Sequence, residues 1–400
     1  MIKIAIVSSS FPPLSAGGVS SAQYGLLLLL RQNKNFEVHG FSFGDTTSSL
    51  EDSDFGIHRS GTPLWLKKII KKLLSIVFKL LDKGTKSYQT SDVFCSAIGS
   101  IKAAFKIKKF SPDIVIVSDH GAPMFFIVPF VKAKYIWTAH HNPMRFINNP
   151  LLGKMSVKDA KFATSIEKKC IKKCSYVISP SKYMNDFIKV SHNVEDNSCI
   201  IPNIIDLDFL NNIKSKEHFS TSIDEYKIFI PSAGSEVKGE RYVFSIMHWI
   251  TNSIKDKKIV FLLSGNISDK LAYEISQQNK IKCVFLGQQE YSSNIAYLKS
   301  CDICISPTLF ESFGMAILEA MLSGIPVIAF DVGGNRELIK NGENGYIVDY
   351  LNITQLCNKA IKLINEPLAK EIVVSKTREI YSIKDVENKL FSVITSLGCK

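Results

Sequence analysis

The chain has 400 residues, 46% hydrophobic and 22% charged, enough material for two globular domains of ordinary size. No run of 18 apolar residues occurs and the first residues lack a signal-peptide pattern, so a cytoplasmic protein without a transmembrane helix is expected. A formal net charge of +12 points to anionic partners, while nine scattered cysteines argue against a disulfide framework.

The N-terminal "MIKIAIV" predicts a buried strand, and "SSSFPPLSAGGVSSA" a loop that carries Gly17 and Gly18. "QYGLLLLLRQ" starts a helix and "FEVHGFS" is a second strand. The segment "LWLKKIIKKLLSIVFKLLDK" (64–83) is a helix with a basic face and an apolar one. Two readings stand for it: a helix lying on an anionic membrane surface, or one packed on its own core. Short apolar runs then alternate with helical stretches: "PDIVIVSDH", "AKYIWTAHH", "CSYVISPS" and "NSCIIPN". That alternation predicts a doubly wound parallel sheet, with ligands beyond the carboxyl ends of its strands. The run ends carry chemically useful residues, including Asp119-His120 and His140-His141.

Residues 206–227 are polar and aperiodic and read as a linker. A second strand series follows: "KIFIPSAG", "KKIVFLLSG", "KCVFLGQ", "CDICISPT", "IPVIAFDVGG" and "GYIVDY". The fold class is therefore α/β, with two Rossmann-like domains expected to face each other across a cleft. The expected boundaries are 1–205 and 206–383, with a terminal helix at 384–400 returning to the first domain.

The stretch "ESFGMAILEAMLSG" (311–324) places Glu311 and Glu319 eight positions apart in apolar surroundings, on a helix expected to begin near Ser312–Gly314. A buried carboxylate is costly unless something binds it. Eight residues of helix rise ~12 Å, about the reach from a sugar past a diphosphate to a ribose. A helix N-terminus suits the phosphates and carboxylates suit sugar diols.

The 38 residues from "ESFGMAILEA" to "GENGYIV" resemble the donor-site signature of retaining glycosyltransferases of family 4, the group 1 glycosyl transferases of the GT-B fold. Weaker likenesses include "GGVSSA", "WTAHH", "SYVISPSKYM", "IIPNIID" and "EVKGERYV". The resemblance implies a metal-independent, retaining, hexosyl-type transferase. Its donor would be a nucleoside-diphosphate sugar, a substrate rather than a cofactor. The acceptor would be a saccharide or lipid-linked saccharide of bacterial surface polysaccharide synthesis, and the protein would lie in the cytoplasm or at the inner face of the cell membrane. Position by position, Glu311 would contact the transferred sugar, and the backbone of Phe313, Gly314 and Met315 the sugar or phosphate. Glu319 would bind the ribose and Lys238 the diphosphate. Gly17 and Gly18 would let a loop approach the phosphate, and His140 would sit beside the sugar. The family often has an arginine shortly before the lysine. None precedes Lys238 here, and Arg241 and Arg336 are the candidates to replace it.

Other chemistries find less support. "CDIC" (Cys301, Cys304) has no second ligand pair, and the diacids at 52–54 and 206–208 read as turn residues. No phosphate-binding P-loop or dinucleotide fingerprint occurs. The lysines are not interleaved with a stacking aromatic platform, which argues against nucleic acid. The absent arginine leaves open a sugar-nucleotide-binding partner protein that does not turn over.

Overall fold

Apolar, β-branched runs become strands wherever both faces can be covered, and in this chain they form two wholly parallel sheets. A computed structural model describes residues 1–12, 17–45, 56–82, 85–147, 149–194, 197–216 and 225–398. These residues divide into two compact units, 1–204 with 383–400, and 205–382.

In the first unit the order is β1 (Ile2–Ser8), α1 (Gly18–Arg31), β2 (Phe36–Ser42), β3 (Ile57–His58), α2 (Leu64–Leu81), α3 (Gln89–Phe110), β4 (Ile114–Ser118), α4 (Met124–Ile127), β5 (Lys134–Thr138), α5 (Val157–Ile171), β6 (Tyr176–Ser179), α6 (Lys182–His192) and β7 (Ser198–Ile200). The seven strands lie in the order β3-β2-β1-β4-β5-β6-β7. Ile4 of β1 aligns with Val38 on one side and Ile114 on the other. The strand order reverses at β1/β4, the place where such sheets leave a crevice for a ligand. Trp137, Val115, Val117 and Ile107 are among the core residues, all fully buried. The N-terminus of α3 is capped from a distance: the Asp159 carboxylate of α5 accepts the backbone N–H groups of Tyr88, Gln89 and Thr90 at 2.8–2.9 Å. A carboxylate there satisfies orphan donors and complements the helix dipole.

The second unit contains α7 (Leu207–Asn212), β8 (Glu225–Ile230), α8 (Glu240–Ser253), β9 (Lys258–Ser264), α9 (Asp269–Ser276), β10 (Lys282–Gly287), α10 (Tyr291–Lys299), β11 (Ile303–Ser306), α11 (Met315–Leu322), β12 (Val327–Phe330), α12 (Asn335–Leu338), β13 (Gly345–Val348), α13 (Ile353–Asn365) and α14 (Lys370–Ile380). Its sheet order is β10-β9-β8-β11-β12-β13, reversing at β8/β11. The chain then returns to the first unit as α15 (Ile383–Gly398). There Phe391 meets Phe36 edge-on at 5.5 Å, and Lys134 donates to the Leu397 carbonyl at 2.5 Å.

Four details depart from the expectations. Residues 206–227 are not a plain linker. Asp206 caps α7 by accepting from the Phe209 N–H at 2.9 Å, and Lys299 holds the helix by donating to the Leu210 and Ile213 carbonyls. A six-residue helix gives too few turns to show a period. Helix α1 begins at Gly18 rather than at Gln23, because the hydroxyl of Ser20 in its first turn bonds the Ser9 and Ser10 hydroxyls at 3.1 and 3.0 Å. Helix α11 begins at Met315, so Glu311 lies in the preceding turn and the helical rise does not measure its distance from Glu319. Cys174, four positions after Cys170 and so expected on the same helix, lies past the end of α5, against the Met124 sulfur at 3.4 Å. The eight cysteines among the described residues are free thiols. The diacid at 52–54 lies outside the described residues.

Candidate active site

Within the second unit, the predicted residues gather at the strand-order reversal. Beyond β8 the chain makes a 3-10 turn at Glu236–Lys238, and beyond β11 it runs through Pro307 to Phe313. The two loops are stitched together: the Leu309 N–H donates to the Val237 carbonyl at 2.8 Å, and Thr308 Oγ1, 3.3 Å from the same carbonyl, lies 2.9 Å from that of Phe310, the shorter of the two acceptors for its one proton. Gly239 permits this approach. Its φ is +86°, and a Cβ there would stand 2.0 Å from the Pro307 carbonyl oxygen. As a result Lys238 Nζ and Glu311 Oε2 form a part-buried ion pair at 2.5 Å.

Glu311 is fixed from behind by the "GGN" loop. Gly334 N–H donates to the Glu311 carbonyl at 3.1 Å, and Gly333, with φ +59°, leaves room where a Cβ would stand 1.7 Å from that oxygen. Phe313 and Gly314 are buried, Gly314 is the N-cap residue of α11, and Met315 opens the helix half-exposed. Glu319, one turn on, is 7% exposed and accepts the Tyr291 hydroxyl at 3.0 Å. Burial pushes its carboxyl up to about 7, against which the Tyr291 hydrogen bond pulls down. Tyr291 in turn stacks on Phe209 of α7, with ring centroids 5.7 Å apart. The segment first read as a linker thus supports the Glu319 side of the site. Tyr291 and Phe209 carry no motif, and a supporting partner this far away in sequence becomes visible only in the fold.

Arg241 and Arg336 are both engaged with carboxylates close by in sequence. Arg241 pairs with Glu236 at 2.8 Å, and the exposed Arg336 pairs with Asp331.

The first unit assembles a second group of polar residues at the carboxyl ends of β4 and β5. Asp119 is fully buried, and its Oδ2 accepts the backbone N–H groups of His140 (2.7 Å) and His141 (2.5 Å). Burial holds the Asp119 carboxyl well above the usual carboxylate range. The same cause lowers His140 to about 4 and holds His141 well below the usual imidazole range, so both imidazoles are neutral at pH 7. The His120 ring meets that of His141 edge-on at 5.2 Å. Arg145, beside Tyr88, Asp119 and Glu167, is lowered by burial to about 10 and stays charged. Sequence reasoning missed Arg145, and nothing in its immediate neighbours singles it out.

The loop bearing the histidines is anchored by a hydrogen-bond chain. The fully buried Asn142 accepts the Met144 N–H and donates to Ser191 Oγ at 2.7 Å. Ser191 spends its own proton on the Phe187 carbonyl, so the proton in its 2.8 Å contact with His192 sits on Nδ1 of the imidazole. His192 Nε2 and Glu167 Oε2, 2.8 Å apart, then share one proton. Burial raises Glu167 well above its ordinary value and lowers His192 to about 3, which places that proton on the acid.

Gly17 and Gly18 are exposed at the start of α1. Neither has positive φ, and among the described residues neither would bring a Cβ within 4 Å of another group, so packing against those residues does not explain the choice of glycine. Among the described residues, no group of three or more His, Cys, Asp or Glu side chains is placed to hold a metal ion.

The signature of "Glycosyl transferases group 1" matches residues 213–380, and that of "Glycosyltransferase Family 4" matches residues 92–209. An uncharacterized glycosyltransferase of Methanocaldococcus jannaschii is 24% identical over 333 residues, spanning 78% of this chain and 87% of the relative. Sucrose-phosphate synthase from Thermosynechococcus elongatus shares the fold with a TM-score of 0.74 at 16% identity, over 99% of each chain. Anabaena HepE in complex with UDP-glucose does so with a TM-score of 0.71 at 15% identity, over 99% of this chain and 100% of that one. The chain belongs to the group 1 glycosyl transferases of family 4 and has their GT-B fold.

Proposed function

We propose that the protein transfers a sugar from a nucleoside-diphosphate-sugar donor to a saccharide or lipid-linked acceptor, retaining anomeric configuration and needing no metal ion. The observation that carries this reading is the meeting of Lys238 and Glu311 at the strand-order reversal, with Glu319 on the helix that follows. HepE, which shares the fold, was crystallised with UDP-glucose, in keeping with a donor of that class.

In this reading the donor diphosphate draws Lys238 from Glu311. The freed Glu311 carboxylate accepts hydroxyls of the transferred sugar, and Glu319 accepts those of the ribose. As the bond from the anomeric carbon to the phosphate oxygen breaks, its electron pair stays on the diphosphate. Lys238 and the first amides of α11 (Met315 onward) stabilise that charge, the work a metal ion would otherwise do. The acceptor hydroxyl attacks from the same face and its proton passes to the departing phosphate. His140, neutral at pH 7, serves the sugar as a hydrogen-bond partner. Gly17 and Gly18, exposed and without a packing neighbour among the described residues, leave backbone open to a phosphate.

Transfer, followed as nucleoside diphosphate released from a panel of nucleotide sugars, is expected to persist in excess EDTA. Loss of release there, restored by Mg²⁺ or Mn²⁺, overturns the metal-free scheme. Donor binding without any release marks a partner protein instead. Glu311→Gln is expected to depress kcat while leaving nucleoside diphosphate affinity nearly unchanged. Glu319→Gln is expected to weaken that affinity roughly 10- to 150-fold, the value of a charged hydrogen bond. Equal loss of affinity in both variants refutes the assignment of one glutamate to each end of the donor.

A further inference from the structure

Helix α2 is apolar on two sides, and among the described residues only one of them is used. At ~100° per residue, Leu66, Ile70, Leu74 and Phe78 fall on one side, and these are the half-buried or buried positions. Lys67 lies on the same side and donates to the Gly44 carbonyl at 3.2 Å. A second sector holds Trp65, Ile69, Leu73, Ile76, Val77 and Leu80, all exposed; Trp65 is 64%, Leu73 58% and Leu80 74% exposed. A third holds Lys68, Lys71, Lys72 and Lys79, also exposed, flanking the apolar stripe along one edge. No acidic residue occurs between Leu64 and Leu81. Both ends are pinned: Cys95 Sγ of α3 contacts the Lys67 carbonyl at 3.7 Å, and Lys158 Nζ of α5 donates to the Leu81 carbonyl at 2.9 Å. The helix is therefore held in place with its second apolar stripe turned to solvent.

We propose that this stripe lies in the interface of an anionic lipid bilayer, with the four lysines on its phosphates. An apolar stripe of this size on a soluble surface marks a contact site. The arrangement of aliphatic side chains, one tryptophan and a lysine edge is that of a helix seated in the headgroup region. Among the described residues no helix is long and apolar enough to cross a membrane, so α2 would lie on the surface rather than span it. Charge decides against a second copy of the chain as the occupant. Pairing two α2 stripes would bring eight lysines together in a protein whose formal charge is already +12. The proposal stands apart from the transfer reaction and does not depend on nucleotide binding.

The test is co-sedimentation of the full chain with vesicles of phosphatidylcholine alone and of phosphatidylcholine with phosphatidylglycerol, at low and high salt. Binding is expected only to the anionic vesicles and is expected to weaken with salt. Each Lys→Ala change at 68, 71, 72 or 79 is expected to weaken it about fivefold. Leu73→Ser and Leu80→Ser are each expected to weaken it about tenfold. These positions are exposed, so the melting temperature should hold. Vesicles are also expected to shift the tryptophan emission to the blue in the wild type and not in Trp65→Phe, which keeps Trp137 and Trp249. Wild-type protein that ignores anionic vesicles at low salt, or binds both kinds alike, overturns the proposal. So does light scattering that shows a dimer which Leu73→Ser converts to monomer without any vesicle effect, since the stripe is then an interface between copies.

Discussion

Glu319 is held mostly by burial, and its proton shows it. The folded protein keeps this carboxyl protonated up to about pH 7, whereas an unfolded glutamate ionises near 4.3. Between those values the folded state binds the extra proton, so the group's contribution to stability is full below about pH 4.3 and is lost as pH rises toward 7. Glu319→Gln removes that dependence. The variant is expected to match the wild type near pH 4.5 and to exceed it by up to about 3 kcal/mol at pH 8, read from denaturant unfolding at the two pH values. Its nucleoside diphosphate affinity should fall at the same time, the pattern of a residue kept for binding at a cost to the fold. A melting temperature that falls in the variant at pH 8 would mark a structural carboxylate. Glu311, Glu319 and Lys238 stand out in the sequence as candidates because a contiguous run and a short turn carry them. Asp119 and Arg145 owe their character to burial at strand ends. That burial depends on β4 and β5 being neighbours, which local spacing does not encode.

Apolar runs bounded by polar residues are legible as strands down to the three-residue β7 of "NSCIIPN", whereas elements without such a run are not. The strands of "FEVHGFS" and "KIVFLLS" appear as β2 and β9, while the two-residue β3 and the six-residue α7 offer too little pattern to see. Helix α1 was placed late because its first turn is Gly, Val and Ser, poor helix formers held there by serine hydroxyls. Helix α2 was legible as amphipathic, but which apolar side faces the core is a tertiary fact. The joint between α5 and α6 at Glu167 and His192 was not visible at all, since their pairing spans 25 residues. That joint makes a further prediction. With Glu167 a buried neutral acid, a glutamine can still donate to His192 Nε2, so Glu167→Gln is expected to stay within about 1 kcal/mol of wild type. Glu167→Ala leaves the imidazole unpaired beside a cavity and is expected to lose about 2–4 kcal/mol. Chemical denaturation measures both. Equal losses would mean that the pair is an imidazolium and a carboxylate.

At the scale of the whole molecule, two α/β units with wholly parallel sheets were predicted from the alternation of apolar runs and helices, and both are present. The first unit is written in two pieces, with 205–382 between them and α15 last. Helix α15 buries Val386, Leu390 and Ile394, and Gly398 lies so close to Ile2 that a Cβ there would stand 2.3 Å from the Ile2 side chain. A chain ending at Ser382 is expected to lose stability in the first unit while the second melts as before, seen by calorimetry as one transition moving and one staying. Loss of both together would show that the units unfold as one. The same topology sets an order of events during synthesis. The ribosome releases the whole second unit before it releases the helix that completes the first, so the nascent N-terminal sheet waits with the hydrophobic strip beneath α15 uncovered. A chain stalled anywhere in 205–382 therefore presents that strip to chaperones and proteases, and a premature stop within 383–400 damages the unit whose strands were made before it.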